Sequence, residues 1–349
     1  MPIFDQGYQH WKGTLSGHAW RWLTITRHGL RVQLKNRQAR SLLLLAWMPA
    51  VILVAALALW GLAERYSEIL RFIAPIFKLA PESANSPQNF RIIFWTYAYH
   101  YFFQAELYFS MLLVLLIGPN LISQDLRFNA LPLYFSRPLR RIDYFLGKLG
   151  VIVFCLGAVM VVPAVVAYLF GLAFSLDLGV IKDTFHLLPA AFAYGMLVAV
   201  VAGTVMLALS SLSRNSRYVG LLWLGLWVVG NMLAPALTEG AEVEWGPLVS
   251  FPGNLQRVGD ALLDMKAVEQ RFNDLRQATV PSIQDRGQPG PFQGGGRPAP
   301  RALRQPPRMQ YREPLPEPPW TWSALVLLGL MGLSLWILSS RVKSLDRLR

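Results

Sequence analysis

Cysteine is all but missing from this chain. The single thiol, Cys155, lies inside an apolar run, so no intramolecular disulfide and no cysteine-ligated metal cluster can form. Histidine is nearly as scarce: of five, His10, His18 and His28 stand eight and ten residues apart in a basic segment, without the clustering of a metal site. Charge is short as well, at 15% of 349 residues against roughly 25% in an ordinary soluble domain. Length alone would allow two soluble domains, but too few charged residues remain to cover their surfaces. Acidic residues are the scarcer sign, 20 against 33 basic, for a net charge of +13. No basic stripe interleaved with stacking aromatics lies outside the apolar blocks, which excludes nucleic acid as a partner. There is no G-x-x-x-x-G-K-[ST] phosphate loop, since Gly147-Lys148 follows an aromatic stretch and precedes Leu149. H-E-x-x-H and G-x-S-x-G are missing too. The chain is therefore expected to be no enzyme and to need no cofactor, and any ATP must be used by a partner.

What is abundant is apolar residues, 54% of the chain, and they fall into long blocks. A spanning helix needs about 20 of them in succession. Six blocks qualify: Ser41–Leu62, a span within Ile92–Ile122, Phe145–Phe174, Leu187–Leu212, Val219–Leu237 and Trp322–Ser339. The second block is about 31 residues, or roughly 46 Å as a helix. Its aromatic start (Trp95, Tyr97, Tyr99, Tyr101) therefore reads as an interfacial belt, with the span proper beginning near Phe102. The fold class is thus an all-α membrane protein with six transmembrane helices. The first apolar block is too long for a signal peptide and lacks a small-residue cleavage site. Lys and Arg number 18 in residues 1–40, the second and fourth connections and the tail, against five in the first and third connections. That asymmetry predicts a multi-pass protein with both termini cytoplasmic.

Residues 1–40 alternate Trp11, Trp20, Trp22, Leu23 and Leu30 with Lys12, Arg21, Arg27, Arg31 and Lys35, the pattern of an amphipathic helix in the headgroup plane. Residues 41–237 hold the first five spans, and 321–349 the sixth with its tail. Between them the loop 238–320 carries ten basic and ten acidic residues and is placed outside the cell by the topology. Its apolar residues Leu255, Val258, Leu262, Met265, Val268, Phe272 and Leu275 predict one amphipathic helix over 255–275. From 281 to 319 come eleven prolines and six arginines, a composition that cannot offset its ordering entropy and reads as an extended tether or a docking segment for an external partner.

Glu106 is the only carboxylate well inside an apolar block, where a charge costs at least about 2.5–3.5 kcal/mol. With Gln104 and with Asn231 of the fifth span it is a candidate for lining a pathway. The most informative stretch is the connection at 123–144. A short polar run carries Asp125, Arg127 and Asn129; then comes the apolar strip Leu131, Leu133, Tyr134 and Phe135. Ser136-Arg137-Pro138 makes a turn, and Arg140, Arg141 and Asp143 precede the next span. Such an amphipathic element, standing out of the membrane, is shaped to enter a groove on another protein.

Ile-Ser-x-Asp-x-Arg, Asn-Ala-Leu, Leu-Tyr-Phe-Ser-Arg-Pro-Leu and Asp-Tyr-Phe-Leu-Gly-Lys, running from Ile122 to Lys148, resemble the pattern of ABC-2 type permeases, the membrane subunits of ATP-binding-cassette exporters. Six spans and an amphipathic N-terminal segment resemble the family over most of the length. The resemblance implies that Asp125–Arg141 is the element coupling the chain to its ATPase. Asp125, Arg127 and Asn129 would fix its turn or touch the partner, Leu131–Phe135 would fill the partner's groove, and Arg137, Arg140 and Arg141 would pair with acids or lipid phosphates. It further implies a permease dimer, of two copies or with a relative, on two ATPase subunits in the bacterial cytoplasmic (inner) membrane. The long outer loop departs from the short re-entrant hairpin of many relatives. Two other readings are an ion-coupled secondary transporter using Glu106 and a scaffold recruiting an extracytoplasmic partner through 238–319.

Overall fold

In hydrocarbon a backbone must satisfy its own polar groups, which leaves helices or closed barrels. The described residues form helices. The computed structural model describes residues 20–65, 88–135, 139–175, 178–279 and 318–346. The N-terminal stretch before Trp20, the Ser136-Arg137-Pro138 turn and nearly all of the Pro/Arg-rich 281–319 segment lie outside them. In chain order the helices are α1 (Arg21–Lys35), α2 (Arg37–Leu45), α3 (Met48–Arg65), α4 (Gln88–Ile117), α5 (Asn120–Arg127), α6 (Leu131–Phe135), α7 (Arg141–Ser175), α8 (Leu178–Thr184) and α9 (Leu187–Leu212). They continue with α10 (Ser216–Gly240, including two π-helical turns), α11 (Phe251–Leu262), α12 (Met265–Thr279) and α13 (Trp320–Asp346). Six helical stretches are long and apolar enough to cross a membrane: Arg37–Glu64, Phe90–Arg127, Arg141–Ser175, Gly179–Leu212, Ser216–Gly240 and Trp320–Arg341. The expected all-α class and six spans are what the chain adopts.

The second, third and fourth spans form the centre, at least half buried, while the first, fifth and sixth are only 22% buried and face outward. The aromatic start of α4 is not an interfacial belt. Trp95 and Tyr99 are buried; Tyr99 donates its hydroxyl to the Ala164 carbonyl at 2.8 Å, and Trp95 meets Tyr168 edge-on. Helical rotation sends only Tyr101 of that run fully outward. One end of the bundle carries α1, α5, α6 and the 212–216 turn with their arginines; it is called the basic end below. At the far end Arg91 joins Glu64 to Asp183.

The predicted single helix over 255–275 is two helices, α11 and α12, broken at Asp264, whose φ of 53° turns the chain through the left-handed region. Nor does α11 sit on the surface. After Gly240 the chain doubles back. Val249 passes against Gly230, Ser250 donates to Asn231 Oδ1 at 2.9 Å, and Phe251 packs edge-on against Trp223, well within the fifth span. From there α11 returns toward the far end, pressing Gly259 onto the Tyr194 ring. α11 is thus re-entrant, folded back against the fourth and fifth spans, where the sequence predicted an amphipathic helix within an outer loop. Its Arg257 is accommodated by Ser323 Oγ, the Pro247 carbonyl and Asn254 Oδ1 at 2.7–2.9 Å.

Candidate functional site

The element between the second and third spans is built from caps. Gly118-Pro119 ends α4, and a Cβ at 118 would collide with Met206 and come 2.7 Å from the Val114 carbonyl oxygen, so only glycine lets the chain turn this close to α9. The first amides of α5 have no partner within their own helix. Ser210 of α9 supplies one, accepting from Ile122 and Ser123 at 3.1 and 3.0 Å while donating to the Pro119 carbonyl. At its other end α5 closes in a Schellman turn: Ala130 N–H reaches the Asp125 carbonyl at 2.9 Å and Asn129 N–H the Leu126 carbonyl. Asn129 stands at the left-handed position, φ 50°, which asparagine tolerates better than most residues.

Asp125 faces inward. Its Oδ2 accepts from the Tyr144 hydroxyl at 2.6 Å and pairs with Lys148 Nζ at 2.7 Å, both carried by the first turns of α7. Lys148 also lies over the Tyr144 ring. Burial, and then the Asp125 charge, push the Tyr134 phenol above its ordinary range. The element is thus tied to α9 at its start and to α7 at its end, and cannot move without taking a span with it.

The other residues expected at this site divide by exposure. Leu131 is turned into the chain's own core at 4% exposed, so the residue expected in a partner's groove packs internally instead. Leu133 and Phe128 are about three-quarters exposed, and Arg127 lies over the Phe128 ring at 5.6 Å. Arg140 is exposed, its N–H donating to Asp143 Oδ2 at the start of α7, and Arg141 is half-buried. Tyr134 is half-buried beside Leu133 in a groove of about 560 Å³, closed on the other side by Arg21, Thr24 and Ile25 of α1. Phe135 ends α6.

Residue reading missed how α1 attaches. Thr26 Oγ1 donates to the Gly147 carbonyl at 2.9 Å, and a Cβ at Gly150 would collide with that hydroxyl. Gly147-x-x-Gly150, which starts in the Asp-Tyr-Phe-Leu-Gly-Lys run and ends two residues past it, was the available signal, since glycines one turn apart let helices approach closely. Gly150→Leu is therefore expected to lift α1 from α7 at a cost of about 1–3 kcal/mol. A lower thermal midpoint and faster tryptic cleavage at Arg27 and Arg31 would report it.

The three pathway residues are not brought together. Gln104 and Glu106 project about 200° apart on α4, hence to opposite sides, and Asn231 is engaged with Ser250. Glu106 alone is enclosed, at 0% exposed, and neither of its oxygens has a hydrogen-bond partner among the described residues. Ser110, one turn on, is equally buried and unpartnered.

These features describe a membrane bundle with a rigidly mounted element at its basic end, and they meet an independent comparison. A family model described as ABC-2 family transporter protein matches residues 69–251, just over half of the chain. The chain belongs to the ABC-2 transporter family. As an ABC-2 protein it is a membrane component of ABC-type transport, a role in which the permease itself is not the catalyst. The matched region contains α4 through α10, and with them the whole α5–α6 element and Glu106. No curated protein matches the chain.

Proposed function

We propose that this chain is the membrane subunit of an ABC-2 exporter, driven by separate ATPase subunits that dock on the α5–α6 element. Two copies of the permease, or one with a relative, and two ATPases make up the working unit, in a bacterial cytoplasmic membrane with both chain termini inside. The observation that carries the reading is the double attachment of that element, through Ser210 to α9 and through Asp125 to Tyr144 and Lys148 of α7. A partner pushing on Phe128 and Leu133 would move two central spans together. An alternating mechanism needs such a bistable coupling and differential binding rather than one tight site.

The test is co-purification in mild detergent from the native host, with ATP hydrolysis assayed on the eluate. A P-loop ATPase should accompany the wild-type chain and be lost with Phe128→Asp/Leu133→Asp, substitutions at exposed positions that leave the fold intact. Arg137→Glu/Arg140→Glu should weaken the same contact. A wild-type preparation that retains its dimer and brings down no ATPase would overturn the reading. Deleting 281–317 should leave ATPase binding unchanged, whereas a scaffold would lose its partner.

A further inference from the structure

Glu106 is the one buried carboxylate in the described spans with nothing to balance it, and the bundle around it is asymmetric. It lies about 16 Å from the basic end of α4 and about 27 Å from the other. Toward the basic end, beyond Ser110, Met111 to Ile117 are seven apolar residues in a row. Toward the far end the helix carries Gln104, His100, Tyr99 and Thr96, and the Thr96 hydroxyl is buried without a partner like those of Glu106 and Ser110. Titratable groups on the helices packed around α4 are few. Cys155 and Tyr168 stand on α7, with Asp143, Tyr144 and Lys148 in its first turns at the basic end, and Tyr194 on α9; α2 bears Arg37 and Arg40, and α8 bears Lys182 and Asp183; α3 has none between Met48 and Trp60, and α10 none between Tyr218 and Glu239. Asp260 of α11 is held by His100 at 2.7 Å. α12, which bears Lys266, Glu269, Arg271, Asp274 and Arg276, meets α4 at Tyr97 through Phe272.

The re-entrant helix closes that side. Its Asp260 grips His100, and its Gly259 presses on Tyr194, whose ring meets Phe103 edge-on at 5.0 Å, one turn from Glu106. We propose that Glu106, with Ser110, is a proton-binding site held as the neutral acid in this closed conformation, and that its proton exchanges with water from the far end when α11 lifts. A buried unpartnered carboxyl calls for a ligand or a role, and the proton is the ligand two side-chain groups suffice to hold. The site needs neither nucleotide nor partner, so its fate in a test is separate from that of the transporter reading.

Infrared spectroscopy of the full chain in lipid nanodiscs at neutral pH tests this. The wild type should show a protonated-carboxyl carbonyl band that is lost in Glu106→Gln, and glutamate labelled at its carboxyl carbon should shift the band in the wild type whether or not the variant folds. In D₂O the band should shift slowly. His100→Ala should speed that exchange by more than about tenfold by favouring local opening, while Arg214→Ala, at an exposed turn of the basic end, should leave it unchanged. No such band in the wild type, exchange complete at mixing, or acceleration by Arg214→Ala and not by His100→Ala would each overturn the proposal.

Discussion

Asp125→Ala should lower stability by about 3 kcal/mol, the lower end of the cost of stranding one partner of a buried ion pair. Asp125 and Lys148 are each only 14% exposed, and the same carboxylate oxygen holds the Lys148 ammonium at 2.7 Å and the Tyr144 hydroxyl at 2.6 Å. Removing the carboxylate leaves an ammonium in a half-closed site over an aromatic ring, with no anion against it. Lys148→Met should cost a similar amount for the mirror reason. The double variant Asp125→Ala/Lys148→Met should recover much of the loss, because an ion pair replaced by apolar groups leaves no charge behind. Tyr144→Phe removes one hydrogen bond to a charged group and should cost about 1.5–3 kcal/mol. Thermal midpoints of the four proteins in detergent complete a double-mutant cycle. A single Asp125→Ala within about 0.5 kcal/mol of wild type, the range of ordinary surface changes, would mean that the element is not clamped to α7. Its expected functional signature is an ATPase that still binds but whose hydrolysis no longer responds to the permease.

The spans were legible because each is a long apolar block, and no burial pattern had to be guessed to count six. The Asp125 clamp was half legible. The motif residues were found, but Gly147-Lys148 invited comparison with a phosphate loop, and nothing in the residue order says that Lys148 reaches back 23 positions to a carboxylate. The helix at α11 was legible, but its packing into the bundle was not, for a physical reason. Its stripe of Leu255, Val258 and Leu262 with Arg257 and Asp260 between has the pattern of a surface helix, and the groups that make burial tolerable lie elsewhere in the chain. Ser323 sits 66 residues from Arg257 and His100 sits 160 from Asp260. The α4 aromatics misled in the opposite way. Spaced every second residue they resemble an interfacial girdle, yet at 100° per residue Trp95 and Tyr99 share a face that turns inward. Glu106 stood out from composition alone, since an apolar block advertises its one carboxylate; that it lacks any partner is a fact of packing.

Arg91→Ala is expected to be the most damaging single change at the far end, at about 3–5 kcal/mol. The guanidinium is 4% exposed and engages Glu64 at two points, Nε to Oε1 at 2.8 Å and a second nitrogen to Oε2 at 3.1 Å. Its third nitrogen reaches Asp183 at 3.2 Å. One side chain thereby joins the first span, the second span and α8 at the start of the fourth. Without it, Glu64 keeps, among the described residues, the Trp60 indole N–H at 2.7 Å and becomes a nearly buried anion with no cation among them. Arg91→Lys should rescue little, because a single ammonium cannot reproduce the forked contact to both oxygens. Asp183→Asn should cost under about 1 kcal/mol, since its carboxylate is 45% exposed and screened by solvent. That contrast makes the argument testable: thermal unfolding of Arg91→Ala, Arg91→Lys and Asp183→Asn should rank them in that order of damage. An Arg91→Ala protein no worse than Asp183→Asn would show that burial, rather than the number of ion contacts, had been misjudged here. If the ranking holds, the far end of the first two spans moves as one body, and opening of the bundle there falls to α11.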